Sequence, residues 1–180
     1  MTKESGFAIA QLFTLPALLP ALSFNVCGSP VGEPRAQPTR AGGRLRMHRN
    51  SSADDWKLAV RSAAIAALGL QTAPRQAFFG EGVPLLVVMT FRIERPKNHF
   101  RLARGKPTEL LAASAPIYHT AKPDADNLAK GAMDALAGWP KGADPILWWD
   151  DAQVVEVHSR KEWASNENQP GAWIEVHLFR

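Results

Sequence analysis

The strongest constraint on the fold is a change of period in the first half of the chain. Trp56, Val60, Ala63, Ala64, Ala67 and Leu68 recur at helical spacing behind Ser52 and Asp55, a capping-box pair, and Gly69 stops the run. From Val83 to Ile93 the pattern switches to β-branched and aromatic residues, with Pro84 at the one end where a strand tolerates it. A helix followed by a buried strand excludes both all-α and all-β folds, and the rest of the chain extends the alternation. Leu22 to Cys27 reads as a first strand and the Gly/Pro-rich residues 28–43 as a long loop. Residues 95–115, polar and basic, read as a second loop. Asn127 to Ala137 reads as a second helix, with Leu128, Ala132, Ala135 and Leu136 on one face and Lys130 and Asp134 on another, ended by Gly138, Trp139 and Pro140. Gln153–Lys161 and Ala172–Phe179 alternate with period two around Asn168, Pro170 and Gly171, which suggests an antiparallel hairpin. The order βαβαββ implies one α+β domain, a mixed β-sheet with two main helices.

A length of 180 residues suits a single core, and 46% hydrophobic with 21% charged residues excludes a mostly disordered chain. A lone cysteine, Cys27, cannot close an internal disulfide or supply a Cys-rich zinc site, so a reducing, cytoplasmic setting is expected. The most apolar run, Phe7 to Leu22, imitates a signal peptide. Glu4 cancels Lys3, however, Gln11, Pro16 and Pro20 interrupt the run, and it falls short of the ~20 residues that span a bilayer. Residues 1–22 are therefore expected to be an apolar extension outside the fold, residues 23–180 the domain, and no membrane to be involved.

The charges are segregated. Residues 35–106 hold 14 Lys/Arg against 4 Asp/Glu, whereas residues 107–180 hold 6 against 11. Charge runs are usually solvated faces. Here Arg35, Arg40, Arg44, Arg46 and Arg49 occur without an acid among them, which suits phosphate.

The acids carry the chemistry. Residues 122–130 read Lys-Pro-Asp-Ala-Asp-Asn-Leu-Ala-Lys. Pro123 holds Lys122 extended, so the chain is expected to enter Asp124 extended. Asp124 and Asp126, two residues apart on an extended edge at ~6.6 Å, could converge on one cation. Asp126 stands where a helix N-cap belongs, and a turn with a capping acid would explain the pair without chemistry. Trp148-Trp149-Asp150-Asp151 adds two acids beside bulky aromatics. Gathered carboxylates repel one another unless a cation compensates them, and oxygen-only ligation selects Mg²⁺ or Mn²⁺ over zinc. Lys130, one turn after Asp126, could reach a bound phosphate. A surface salt bridge with Asp126 or Asp134 is the competing explanation.

The motif Lys122–Lys130, Asp134-Ala-Leu136 with Gly138, and Trp149-Asp-Asp-Ala-Gln-Val-Val155 resembles the RusA-type Holliday junction resolvases, common on prophages. Tyr118-His119-Thr120 and Arg95-Pro-Lys-Asn-His99 extend the resemblance, which runs from about Ser23 to Arg180. It implies Asp124, Asp126, Asp151 and Lys130 as essential residues, with the three aspartates as metal ligands and Asp150 assisting. It further implies a homodimer, Mg²⁺ dependence and paired symmetric nicks in four-way DNA junctions. Arg35, Arg40, Arg44, Arg46, Lys97 and Lys122 are the expected DNA contacts. The segment between Gly80 and Thr120 is longer than in compact members, which bears on junction contacts and not on the acids. A noncatalytic branched-DNA-binding protein is the rival from another class, and an Asp-x-Asp phosphatase or sugar transferase the rival among enzymes.

Overall fold

The computed structural model describes residues 20–33, 38–41, 44–47, 51–165 and 167–179. Of residues 1–22, expected to lie outside the fold, 1–19 lie outside the described residues, as do Arg35 and Arg49; the boundary is corrected at its end, where the Ala21 N–H donates to the Val176 carbonyl and Leu22 pairs with Val176 as the first residue of a strand. Strands β1 (Leu22–Cys27), β2 (Pro38–Ala41) and β3 (Arg44–Met47) precede helix α1 (Ser51–Ala67), which is followed by β4 (Leu85–Ile93), β5 (Phe100–Ala103) and β6 (Lys106–Leu111). Helix α2 (Ala125–Gly138), β7 (Val154–Trp163) and β8 (Gly171–Leu178) complete the chain.

The main sheet has four strands in the order β1-β8-β4-β7. Its mixed character comes from β4, which pairs parallel with β7 and antiparallel with β8. The expected hairpin of the last two strands is thus corrected: β7 and β8 lie on opposite sides of β4 and do not pair. Leu85, Val87, Met89 and Phe91 have no exposure at all, as a central strand requires, and this apolar strand takes the place between the two amphipathic ones.

Both expected loops contain strands. β2 and β3 form a two-stranded hairpin in the arginine-rich stretch, so Arg40, Arg44 and Arg46 sit on strands and not in an irregular loop. β5 and β6 form another, turned by Arg104 and Gly105, which both have positive φ. Two left-handed residues between two strands match the right-handed twist of a hairpin.

α1 ends as its sequence suggested. Gly69 takes φ +70°, its N–H donates to the Ala66 carbonyl, and the Leu70 N–H reaches back to Ile65, a Schellman closure. α1 and α2 pack against each other and cover one face of the sheet, where Trp56, Val60, Ala64, Leu128, Ala132 and Leu136 meet Phe24, Val26, Val87, Met89, Ile174 and Val176. The Val, Leu, Ile, Phe and Met side chains among them each contribute roughly 1.5–3 kcal/mol by leaving water. No helix among the described residues is long and apolar enough to cross a membrane.

Candidate functional site

α2 begins one residue after Asp124. Asp124 is its N-cap, extended at φ −76° and ψ 147°, and its carbonyl accepts from the Leu128 N–H. The extended entry expected from Pro123 is therefore present. Asp126 is not the cap but a first-turn residue, exposed to solvent. The pair consequently does not lie along a strand edge, because helical winding starts between the two residues and turns their side chains apart. Neither acid needs its side chain to close the helix, since Asp124 makes no side-chain capping bond.

The turn that delivers Asp124 is tied to β7. The Lys161 ammonium donates to the carbonyls of Ala121 at 2.5 Å and Pro123 at 2.8 Å, and the Ser159 hydroxyl donates to Ala125 at 3.0 Å. Ser159 and Lys161 alternate along β7 toward the helix layer. Sequence reasoning missed both; the signal was a basic residue at an inward position of an alternating strand.

Asp151 opens a short 3-10 turn before β7, and that turn packs against α2. The indole N–H of fully buried Trp148 donates to Asp151 Oδ1 at 2.9 Å, which fixes one carboxylate oxygen and leaves the other free. Asp150 plays a different part, because its side chain caps the turn by accepting from the Ala152 N–H at 2.8 Å. Buried Gln153 anchors the turn from below, donating to Gly80 and Val83 and accepting from the Trp149 N–H. The acids beside the tryptophans are thus hydrogen-bonded into place.

A second acidic group sits behind the first. Lys57, buried in α1, lies 2.5 Å from Glu33 and 3.5 Å from Asp134, with its charge 5.5 Å from the centre of the Trp139 ring. Burial pushes the Asp134 carboxyl above the usual carboxylate range. Lys57 opposes that shift, Glu33 and Asp151 add to it, and Lys130 opposes it more weakly. Asp134 and Asp151 therefore share one electrostatic field. Neither Glu33 nor Lys57 was singled out from the sequence, because a lysine on an amphipathic helix reads as solvated.

Lys130 is exposed and forms no ion pair with Asp126 or Asp134. Lys122 and Lys97 are exposed too, the former beside the α2 entry and the latter in a short turn before β5. His119 is buried, its ring 4.4 Å from that of Trp163, which His99 and Arg95 also contact. Burial, and then the charge of Lys161, hold the His119 pKa below its ordinary value.

In donor chemistry the site suits a hard cation, with carboxylate oxygens and no thiolate or imidazole among the expected ligands. Among the described residues, no three His, Cys, Asp or Glu side chains already converge as a metal site.

A mixed sheet covered on one face by two helices, with acids at a helix start and on the adjoining turn, defines a compact α+β domain with an acidic site. Residues 28–177 match the family of endodeoxyribonuclease RusA, and the chain belongs to that family. It is an endodeoxyribonuclease by family, and the family acts on branched DNA junctions. The chain is also similar to the uncharacterised protein YqaN of Bacillus subtilis (strain 168), with 26% identity over 140 residues, 78% of this chain and 86% of that protein.

Proposed function

We propose that the protein is a Mg²⁺-dependent nuclease that resolves four-way DNA junctions by paired symmetric nicks, acting as a homodimer in recombination and repair. Asp124, Asp126 and Asp151 are the residues that would hold the ion, with Mn²⁺ as the alternative. When bound, the ion would polarise the scissile phosphodiester and offset the charge developing on it. The observation that carries this reading is the packing of the Asp151 turn against the helix that Asp124 precedes as N-cap and whose first turn carries Asp126.

The chain's own residues divide the remaining work. Trp148 orients Asp151, while Ser159 and Lys161 hold the entry to α2, so the carboxylates are carried on rigid supports. Side-chain rotation at Asp124 and Asp126 would complete the ligand set. Lys130, free of ion pairs with the described residues, would neutralise charge on the phosphate in the transition state. Arg40, Arg44 and Arg46 on the β2–β3 hairpin, with Arg35, Lys97 and Lys122, would bind the phosphate backbone, giving strong salt dependence and little sequence preference. A two-fold dimer would match the symmetry of a four-way junction.

The test separates binding from cleavage on a synthetic four-way junction. Asp126→Asn should retain binding and lose Mg²⁺-dependent nicking, and unchanged nicking would refute the assignment. The absence of a preassembled triad among the described residues favours one second reading, a branched-DNA-binding protein without catalysis. Tight junction binding by the unmodified protein, with no uptake of Mg²⁺ or Mn²⁺ in titration calorimetry, would select it.

A further inference from the structure

Lys130 and Asp134 stand one helical turn apart on α2, the spacing at which a lysine and an aspartate ordinarily pair. They do not pair here. Asp134 is 3.5 Å from Lys57, which reaches it from α1 and is held in turn by Glu33 at 2.5 Å. Lys57 has only 5% of its surface exposed, so its ammonium is committed to these two carboxylates and to the Trp139 ring. Lys130, by contrast, is exposed and makes no ion pair with any described residue.

The anchoring of Glu33 explains why Lys57 stays in place. The Glu33 N–H donates to the Asn127 carbonyl of α2 at 3.0 Å. Gly32 lets this segment lie close on the helix start, because a Cβ there would stand only 3.2 Å from the Asn127 Cβ. Glu33, Lys57 and Asp134 thus lock together the residue 31–33 segment and both helices.

We infer that Lys57 is a positioning residue: by occupying Asp134 it leaves Lys130 unpaired and free to meet a phosphate of the substrate. This role rests on the function proposed above for Lys130. Without Lys57, Asp134 is a half-buried carboxylate whose remaining cationic influence is Lys130, and local pairing would draw that ammonium toward Asp134. The loss falls on turnover and not on affinity, since Lys57 itself is too buried to touch DNA.

The experiment compares the full chain with Lys57→Met, Asp134→Asn and the double variant on a four-way junction in Mg²⁺, with folding checked by circular dichroism. Lys57→Met should lower kcat roughly tenfold, a fraction of what losing a charge-stabilising donor outright costs, with KM little changed. Asp134→Asn alone should stay near the unmodified rate, and adding it to Lys57→Met should restore most of the lost kcat. Because removing the uncompensated carboxylate also relieves a purely structural penalty, the rescue is read together with the state of Lys130 itself. A second readout needs no cleavage: the Lys130 side-chain NMR resonance should move in Lys57→Met and return in the double variant. An unchanged kcat in Lys57→Met, or a double variant as slow as the single one, would overturn the role while leaving the nuclease reading intact. An unmodified protein inactive in both Mg²⁺ and Mn²⁺ would instead bring down the proposed function, and this role with it.

Discussion

Replacing Lys161 by Met tests whether β7 positions the acidic site. The substitution keeps the apolar stem and removes the ammonium that donates to Ala121 and Pro123. Hydrogen bonds from a charged donor contribute about 1.5–3 kcal/mol each when buried. One of these two is exposed and the other partly buried, so solvent screening reduces the pair to about 1–2 kcal/mol in total. For a domain of this size each kcal/mol moves Tm by about 2–4 °C, and a fall of roughly 5 °C is expected in differential scanning calorimetry. Because the freed carbonyls belong to the turn that delivers Asp124, kcat for junction cleavage should fall while junction affinity holds. The same variant carries an internal reporter. Burial is the main cause of the lowered His119 pKa and the Lys161 charge the second, so removing the charge should raise the His119 midpoint without bringing it to the ordinary 6.5. An NMR titration of the imidazole reads this directly. An unchanged Tm together with an unchanged His119 midpoint would show that Lys161 is solvated and does not hold the turn.

Three further outcomes are expected. The depressed His119 pKa means that the unfolded chain binds more protons below the ordinary pKa of 6.5; stability gained from His119 should be present above that pH and be lost on acidification, by less than about 1 kcal/mol at pH 6. Urea denaturation at pH 7.5 and 6.0 measures the loss, and His119→Gln should flatten it. Gly171→Ala should cost more than about 2 kcal/mol, because φ there is +154° and an added Cβ would collide with the Val26 carbonyl across the β1–β8 pair; thermal melting checks it. Replacing Arg40, Arg44 and Arg46 together by Gln should weaken binding of all junction sequences alike and make the salt slope shallower by up to ~3, measured by fluorescence anisotropy against salt concentration.

The elements and the acids were legible in the sequence to different degrees, for physical reasons. Helical spacing from Trp56 to Leu68 and the apolar run from Leu85 to Ile93 are set by burial, and the structure buries Trp56, Val60 and Ala64 in the one and Leu85, Leu86, Val87, Met89 and Phe91 in the other. Alternation likewise marked β7 and β8 as strands. It could not say which strand each would pair with, because period two specifies a face and not a neighbour. The choice fell to β4, whose inner face of Leu85, Val87, Met89 and Phe91 is fully buried and which has partners on both edges. The β5–β6 hairpin had a local signal, the glycine after Arg104, but the surrounding basic residues hid it by resembling a solvated loop. At the site, the motif from Lys122 to Lys130 announced itself through residue type. Its supports did not, since Lys57, Ser159 and Lys161 act through contacts with residues far away in the chain.

The position of the lysines, more than of the aspartates, separates a working acidic site from a capped helix. Asp124 and Asp126 at a helix start would be stabilised by the backbone amides and the helix dipole whether or not they met a ligand. A capping role predicts side-chain bonds to the first-turn amides, and Asp124 makes none. The same explanation predicts that neighbouring cations fold inward to satisfy the carboxylates. Instead, Lys161 is committed to backbone carbonyls and Lys57 to Glu33 and Asp134. Asp124, Asp126 and Lys130 are left without ion pairs among the described residues, beside charges that have found partners. Asp126 and Lys130 are exposed to solvent, where an ion pair would add little to stability, so the fold does not require them to pair. Their side chains are thereby left available to the cation and the substrate phosphate of the proposed function.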